Sequence, residues 1–124
     1  MDEQDEELQH GQQRKFQKEL NAGIVSLVLL SILAAAKEPL YGYQIAKQLE
    51  REGADIMKQG TLYPVLRSLC AGGFLDSQVE PSVSGPPRRY YRITDAGRTV
   101  LAQWKSAWDT TRDFVDSILE GPSP

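Results

Sequence analysis

The chain has 124 residues, 40% of them hydrophobic and 25% charged, with a formal net charge of −3 at pH 7. That length suits one compact domain and not two, and the composition is that of an ordinary soluble globular protein. Cys70 is the only cysteine, which excludes an intrachain disulfide and fits a reducing cytosol; with no nucleophile–base pair, phosphate loop or metal-ligand cluster, catalysis has nothing to stand on and no cofactor is expected.

The acidic balance, taken alone, counts against a nucleic-acid partner. Its distribution weakens that objection. Asp2, Glu3, Asp5, Glu6 and Glu7 put five acids into the first seven residues, and the remainder holds 14 bases against 12 acids. From Ser82 to Gly97 stand Arg88, Arg89 and Arg92 against Asp95 alone. Local patches, more than overall charge, govern phosphate contact.

Residues 1–13 are polar and predict a disordered acidic tail. A first helix is expected from about Arg14 to Ala36, with Asn21-Ala22-Gly23 as a place to bend or split. Its second half (Ile24, Val25, Leu27, Val28, Leu29, Leu30, Ile32, Leu33) is apolar nearly all round, as in a helix buried on more than one side. The apolar run from Ile24 to Ala36 is too short for a bilayer and contains Ser26 and Ser31. It follows an acidic start, whereas a secretory signal needs a basic one. No membrane partner is expected, and the protein reads as cytoplasmic. Lys37-Glu38-Pro39 ends the helix.

A second helix spans about Gly42 to Arg51, with Ile45, Ala46 and Leu49 inward and Gln44, Lys47 and Gln48 outward; Gly53 closes it. A third runs from about Lys58 to Ala71 on an inward stripe of Leu62, Val65, Leu66, Leu69 and Cys70, and stops at Gly72-Gly73. The period then changes. Phe74–Glu80 and Arg89–Ile93 predict two strands joined by the turn-rich Pro81-Ser82-Val83-Ser84-Gly85-Pro86-Pro87. Thr94 caps a last helix from about Asp95 to Glu120, where Leu101, Trp104, Trp108, Thr111, Val115 and Ile118 recur near heptad spacing. At 1.5 Å per residue such a helix spans nearly ~40 Å, more than one small domain needs, so it is expected to pack on a second subunit. Residues 121–124 form a disordered end.

This order gives a mainly α fold with a small β-hairpin: a winged helix-turn-helix over residues 14–93 and a C-terminal dimerisation helix over 94–120. The third helix fits the width of a DNA major groove. Its outward side carries Lys58, Gln59, Thr61, Tyr63 and Arg67, and residues 57–75 contain no acid to repel phosphate. Base contacts are expected from Gln59, Thr61, Tyr63 and Arg67. Backbone contacts are expected from Lys58, Tyr41, Arg88 and Arg89, the two arginines reaching a phosphate or the minor groove from the hairpin tip.

Several motifs agree in order and spacing with a known family. Tyr41-Gly42-Tyr43-Gln44-Ile45, Gly60-Thr61-Leu62-Tyr63-Pro64-Val65-Leu66, Leu69, Gly73-Phe74-Leu75 and Arg88-Arg89-Tyr90-Tyr91-Arg92-Ile93-Thr94-Asp95-Ala96-Gly97 resemble the PadR family of bacterial regulators over roughly residues 22–120. The resemblance implies a homodimeric winged-helix repressor on a palindromic double-stranded operator. It places Pro64 with Tyr63 in the reading helix. The single last helix is similar to that of the smaller PadR subgroup, which implies a flat aromatic effector stacked at Trp108, with Trp104 one turn earlier.

Plainer readings stand beside these. Tyr63 and Pro64 serve packing and helix start; Tyr41 and Tyr43 are packing residues; Arg88 and Arg89 are solvated charges; Arg92 pairs with Asp76 or Glu80. Trp104 and Trp108 are core or dimer residues. Cys70 is an inert core thiol. The acidic charge favours a winged helix turned protein-interaction module, and the tryptophans favour one that is primarily a multidrug or aromatic-ligand sensor.

Overall fold

The computed structural model describes residues 2–52 and 59–122. In chain order it comprises α1 (Glu3–Ala35), β1 (Leu40–Tyr41), α2 (Gly42–Arg51), α3 (Gln59–Ala71), β2 (Leu75–Glu80), β3 (Arg88–Ile93) and α4 (Asp95–Glu120). This is the expected winged helix-turn-helix followed by a long last helix. Gly53, expected to close α2, lies outside the described residues.

Helix α1 begins at Glu3 and not at Arg14, which corrects the expectation of a loose tail. Asp2 caps it, its Oδ1 accepting from the Asp5 amide at 2.9 Å. The acids that made the segment look disordered (Glu3, Asp5 and Glu6) occupy the first turn, where the helix dipole favours negative charge. The helix does not split at Asn21. Gln17 Nε2 donates to Asn21 Oδ1 at 2.9 Å, so the buried amide is satisfied by a side chain one turn away and leaves the backbone ladder alone. By length and composition α1 passes for a membrane span, with an 18-residue window of mean hydropathy 1.6. The shortness of the apolar run is therefore not what separates it from a span. In this fold Val25, Leu29, Leu30 and Leu33 are buried at the centre of the domain.

Around those four residues pack Ile45 and Leu49 of α2, Leu62, Leu66 and Leu69 of α3, and Leu75, Tyr91 and Ile93 of the sheet. Each such aliphatic side chain contributes about 1.5–3 kcal/mol by leaving water. The inward stripes of α2 and α3 lie where their helical periods put them. Val65 and Cys70 are only half-buried.

The sheet has three strands, in the order β1-β3-β2, and both pairings are antiparallel. The sequence predicts only the hairpin. β1 is two residues long, too short to show a period, and exists because Leu40 and Tyr41 pair with Tyr91 and Tyr90. In the hairpin Leu75 faces Ile93 and Glu80 faces Arg88.

α3, the wing and α4 meet at one joint. α3 ends in a Schellman turn: the Phe74 amide donates to the Leu69 carbonyl and the Gly73 amide to that of Cys70, both at 3.0 Å, with Gly73 at φ 81. Thr94 returns from β3 to the same turn, its amide donating to the Phe74 carbonyl at 3.1 Å and its hydroxyl to the Gly73 carbonyl at 2.7 Å. The same hydroxyl caps α4 by accepting from the Gly97 amide at 2.9 Å. Gly97 is buried there; a Cβ would come within 2.7 Å of Ile93 Cγ1 and strike the Phe74 carbonyl. Gly97→Ala is therefore expected to cost about 1–3 kcal/mol and lower the melting temperature by several degrees. Gly11→Ala, whose new methyl meets nothing within 4 Å on α1, should stabilise by about 0.5–1 kcal/mol. Thermal melts of the two variants check the pair; equal melting temperatures would refute the reading of the joint.

Candidate nucleic-acid interface

The solvent side of α3 carries Thr61, Tyr63, Pro64, Arg67 and Ser68, while Leu62, Leu66 and Leu69 hold the opposite side in the core. Ser68 was not singled out by sequence and flanks Thr61 two turns on. Pro64 sits inside the helix, and without an N–H it leaves the Gly60 carbonyl short of its usual partner. Lys58 and the side chain of Gln59, both expected DNA contacts, lie outside the described residues.

Tyr63 is both exposed and packed, two readings that the sequence kept apart. Its ring is 41% exposed. Its other face lies on the first turn of α2, so close that a Cβ on Gly42 would sit 2.6 Å from both Cε1 and Oη. Glycine opens α2 because the tyrosine of α3 occupies the space a side chain would need. The α2 start is also held from its other side, where the Tyr41 amide donates to Gln44 Oε1 at 3.0 Å.

Arg88 and Arg89 belong to strand β3 rather than to the hairpin tip, so they point to opposite faces of the wing. Arg89 shares the inner face with Tyr91 and Ile93, and its Nη1 donates to Ser77 Oγ at 2.9 Å. Arg88 is on the outer face, its guanidinium carbon 4.5 Å from the Tyr41 ring centroid. Tyr41 meets Tyr90 edge-on at 5.4 Å and lies nearly parallel to Tyr43 at 6.3 Å. Lys47, outward-facing in the sequence but given no role there, places Nζ 5.5 Å from the Tyr43 ring. Arg92 pairs with Asp76 at 3.6 Å and not with Glu80. Both partners are about two-thirds exposed, so the pair adds little stability.

Cys70 is free and half-buried. Burial pushes its thiol up, with a Ser77 hydrogen bond and the Arg89 charge opposing that shift. The reactive thiolate is thereby disfavoured. Among the described residues no three His, Cys, Asp or Glu side chains are grouped to hold a metal.

Trp104 and Trp108 line one cleft of ≈ 410 Å³ between α1 and α4, with Gly23, Ser26, Leu27, Ala107 and Thr111. Trp104 is anchored edge-on against Phe74 at 5.8 Å; Trp108 is 38% exposed.

Gly42→Ala is expected to swing the Tyr63 ring off α2, seen as shifted aromatic resonances of Tyr63 by NMR, and to lower the melting temperature by a few degrees. Adding Tyr63→Ala should remove the penalty of the new methyl, because that methyl then meets nothing. Unmoved Tyr63 resonances in the single variant would rule the contact out.

Residues 29–103 match the transcriptional regulator PadR-like family. A transcriptional regulator of Mycobacterium tuberculosis is 40% identical over 89 residues, which cover 72% of this chain and 78% of that protein. Among solved structures, a PadR family transcriptional regulator from Eggerthella lenta superposes with a TM-score of 0.77 at 36% identity, covering 87% of this chain and 92% of that one. A PadR-like regulator from Bacillus cereus gives 0.70 at 28% identity, covering 84% and 99%. With a helix-turn-helix, a wing and a family match over most of its folded length, the chain belongs to the PadR-like family of transcriptional regulators, which are DNA-binding proteins and not enzymes.

Proposed function

We propose that the protein is a homodimeric repressor that reads a palindromic operator with α3 and releases it when a planar aromatic molecule enters the cleft between α1 and α4. The observation that carries the reading is the acid-free outer face of α3, where Thr61, Tyr63, Pro64 and Arg67 are exposed on a helix whose other side is fixed in the core. A hydroxyl and a guanidinium on such a face suit base edges in the major groove. Two copies set about 34 Å apart would read successive turns of one duplex face. A DNA-binding regulator of this kind would act in the cytoplasm.

A second copy is supported by what α4 leaves uncovered. Phe114 is 65%, Ile118 66% and Leu119 78% exposed, with Val115 and Trp108 about two-fifths exposed. Phe16 and Leu20 of α1 are likewise exposed at 59% and 42%. Scattered apolar residues are normal on a surface, but this many on the end of α4 and the middle of neighbouring α1 favour an interface. For the effector, the support is the cleft itself: two indoles, small residues beside them, and room for a flat molecule.

The experiment is selection of binding sites from a random duplex pool, followed by Thr61→Ala combined with Arg67→Ala. Each lost base contact costs about 1–3 kcal/mol, so the double variant should lose operator affinity by about a hundredfold or more while sedimenting as the same dimer. An operator bound equally well by the double variant would overturn the reading. Steep weakening with salt separates phosphate contact from an apolar protein interface. Quenching of Trp fluorescence by a planar cationic aromatic compound should be lost in Trp108→Ala.

A further inference from the structure

We infer that Tyr41 and Tyr43 are positioning residues that hold Arg88 of the wing and Lys47 of α2 as a paired clamp for the DNA backbone beside the reading helix. The inference rests on the proposed DNA reading and assigns a role to two residues, Tyr43 and Lys47, that base recognition does not need.

Three tyrosines from three elements form one row. Tyr90 of β3 meets Tyr41 of β1 edge-on, and Tyr41 lies parallel to Tyr43 of α2. A cation stands on each of the last two rings: Arg88 at 4.5 Å from Tyr41 and Lys47 at 5.5 Å from Tyr43. The face of an aromatic ring attracts a cation, with the contribution rising as water is excluded. The row therefore limits the swing of two long side chains that would otherwise be free. A pre-placed cation loses less entropy when it meets its ligand.

The alternative partners of these cations point the same way. Glu80 lies directly opposite Arg88 in the hairpin, yet among the described residues the ion pairs do not include Arg88. The guanidinium leans on the ring instead. Lys47 does reach Glu50 at 3.5 Å, but both groups are about half exposed or more, and such a pair yields readily to a phosphate. A groove beside the row is lined by Gln44, Gln48 and Arg51, which adds a third cation and two amide donors.

The ligand chemistry is a line of phosphodiesters. Bases are already met by α3, and this row stands beside α3's contact with α2, where Tyr63 lies on Gly42. Two cations held on rings of one row suit phosphates of the DNA backbone, and such contacts carry no sequence information.

Because backbone contact is independent of sequence, a labelled mixed-sequence duplex at low salt is a sufficient probe, read by fluorescence anisotropy across a salt series. Arg88→Ala and Lys47→Ala, both at exposed positions, should each weaken binding about tenfold. Each should also reduce the slope of log K against log salt by about 0.9 per copy bound, about 1.8 for a dimer. Tyr41→Leu should match Arg88→Ala in affinity and slope, whereas Tyr41→Phe, which keeps the ring, should behave as the parent. Tyr41→Leu combined with Arg88→Ala should be no weaker than Arg88→Ala alone. Tyr43→Leu and Tyr43→Phe should stand in the same relation to Lys47→Ala, with thermal melts confirming that all variants fold. A parental slope in both alanine variants would overturn the clamp, as would additive losses for Tyr41 and Arg88. A parent protein that binds no duplex at all would overturn the DNA reading itself, and the clamp with it.

Discussion

The arrangement depends on one hydroxyl and one missing side chain. Thr94 Oγ1 donates to the turn that closes α3 and accepts from the first turn of α4. Gly97 brings α4 against the Phe74 carbonyl only because it has no Cβ. Within this joint the end of α3, the start of β2, the end of β3 and the start of α4 are fixed to one another. A change of α4 direction therefore reaches α3 through hydrogen-bonded backbone and not through a loop. The packed joint has few arrangements open to it, so it transmits a tilt and does not absorb one.

Helix α3 is held at both ends by different means. At its C-terminal end the Schellman turn uses up the free carbonyls of Leu69 and Cys70. At its N-terminal end the Tyr63 ring lies on Gly42. Between them Leu62, Leu66 and Leu69 fill the core. What is left for a partner is a narrow strip of short or flexible side chains. A strip of that size is a weak ligand by itself, so on the proposed reading phosphate contacts and a second copy matter energetically.

Much of this was legible in the sequence wherever one periodicity ran long enough. α2 spans Gly42–Arg51 and α4 spans Asp95–Glu120 under a Thr94 cap, as the apolar spacing and the capping residue indicate. The N-terminal extension of α1 was missed because exposed helix has no apolar stripe to read; its signals were the Asp2 cap and the acids of the first turn. β1 was missed because two residues have no period, and its pairing with Tyr90 and Tyr91 is a long-range contact. The opposite directions of Arg88 and Arg89 follow from strand alternation once β3 is extended by one residue to include Arg88. The tyrosine row and the Tyr63–Gly42 contact join separate elements, and no local pattern marks them. In the sequence Tyr41 and Tyr43 read as packing residues, Tyr41 also as a backbone contact, and only the fold joins them to Tyr90 and the two cations.

The cleft and the reading helix share a neighbour. Trp104 lines the cleft and lies edge-on against Phe74, the residue whose amide closes α3 and whose carbonyl receives Thr94. An edge-on aromatic pair is worth about 0.5–1.5 kcal/mol beyond its buried area, so a ligand of ordinary affinity can displace it. The hydrogen bonds of the joint are several, mutually supporting and partly buried, and are the harder part to break. On the proposed reading, a flat molecule beside Trp108 therefore acts by shifting Trp104 and the angle at which α4 leaves the joint, with α3 intact. In a dimer paired through α4, a small change in that angle is magnified over the length of the helix into the separation of two reading helices. Release of DNA then requires only that the separation no longer match one helical turn, and not that either copy unfold.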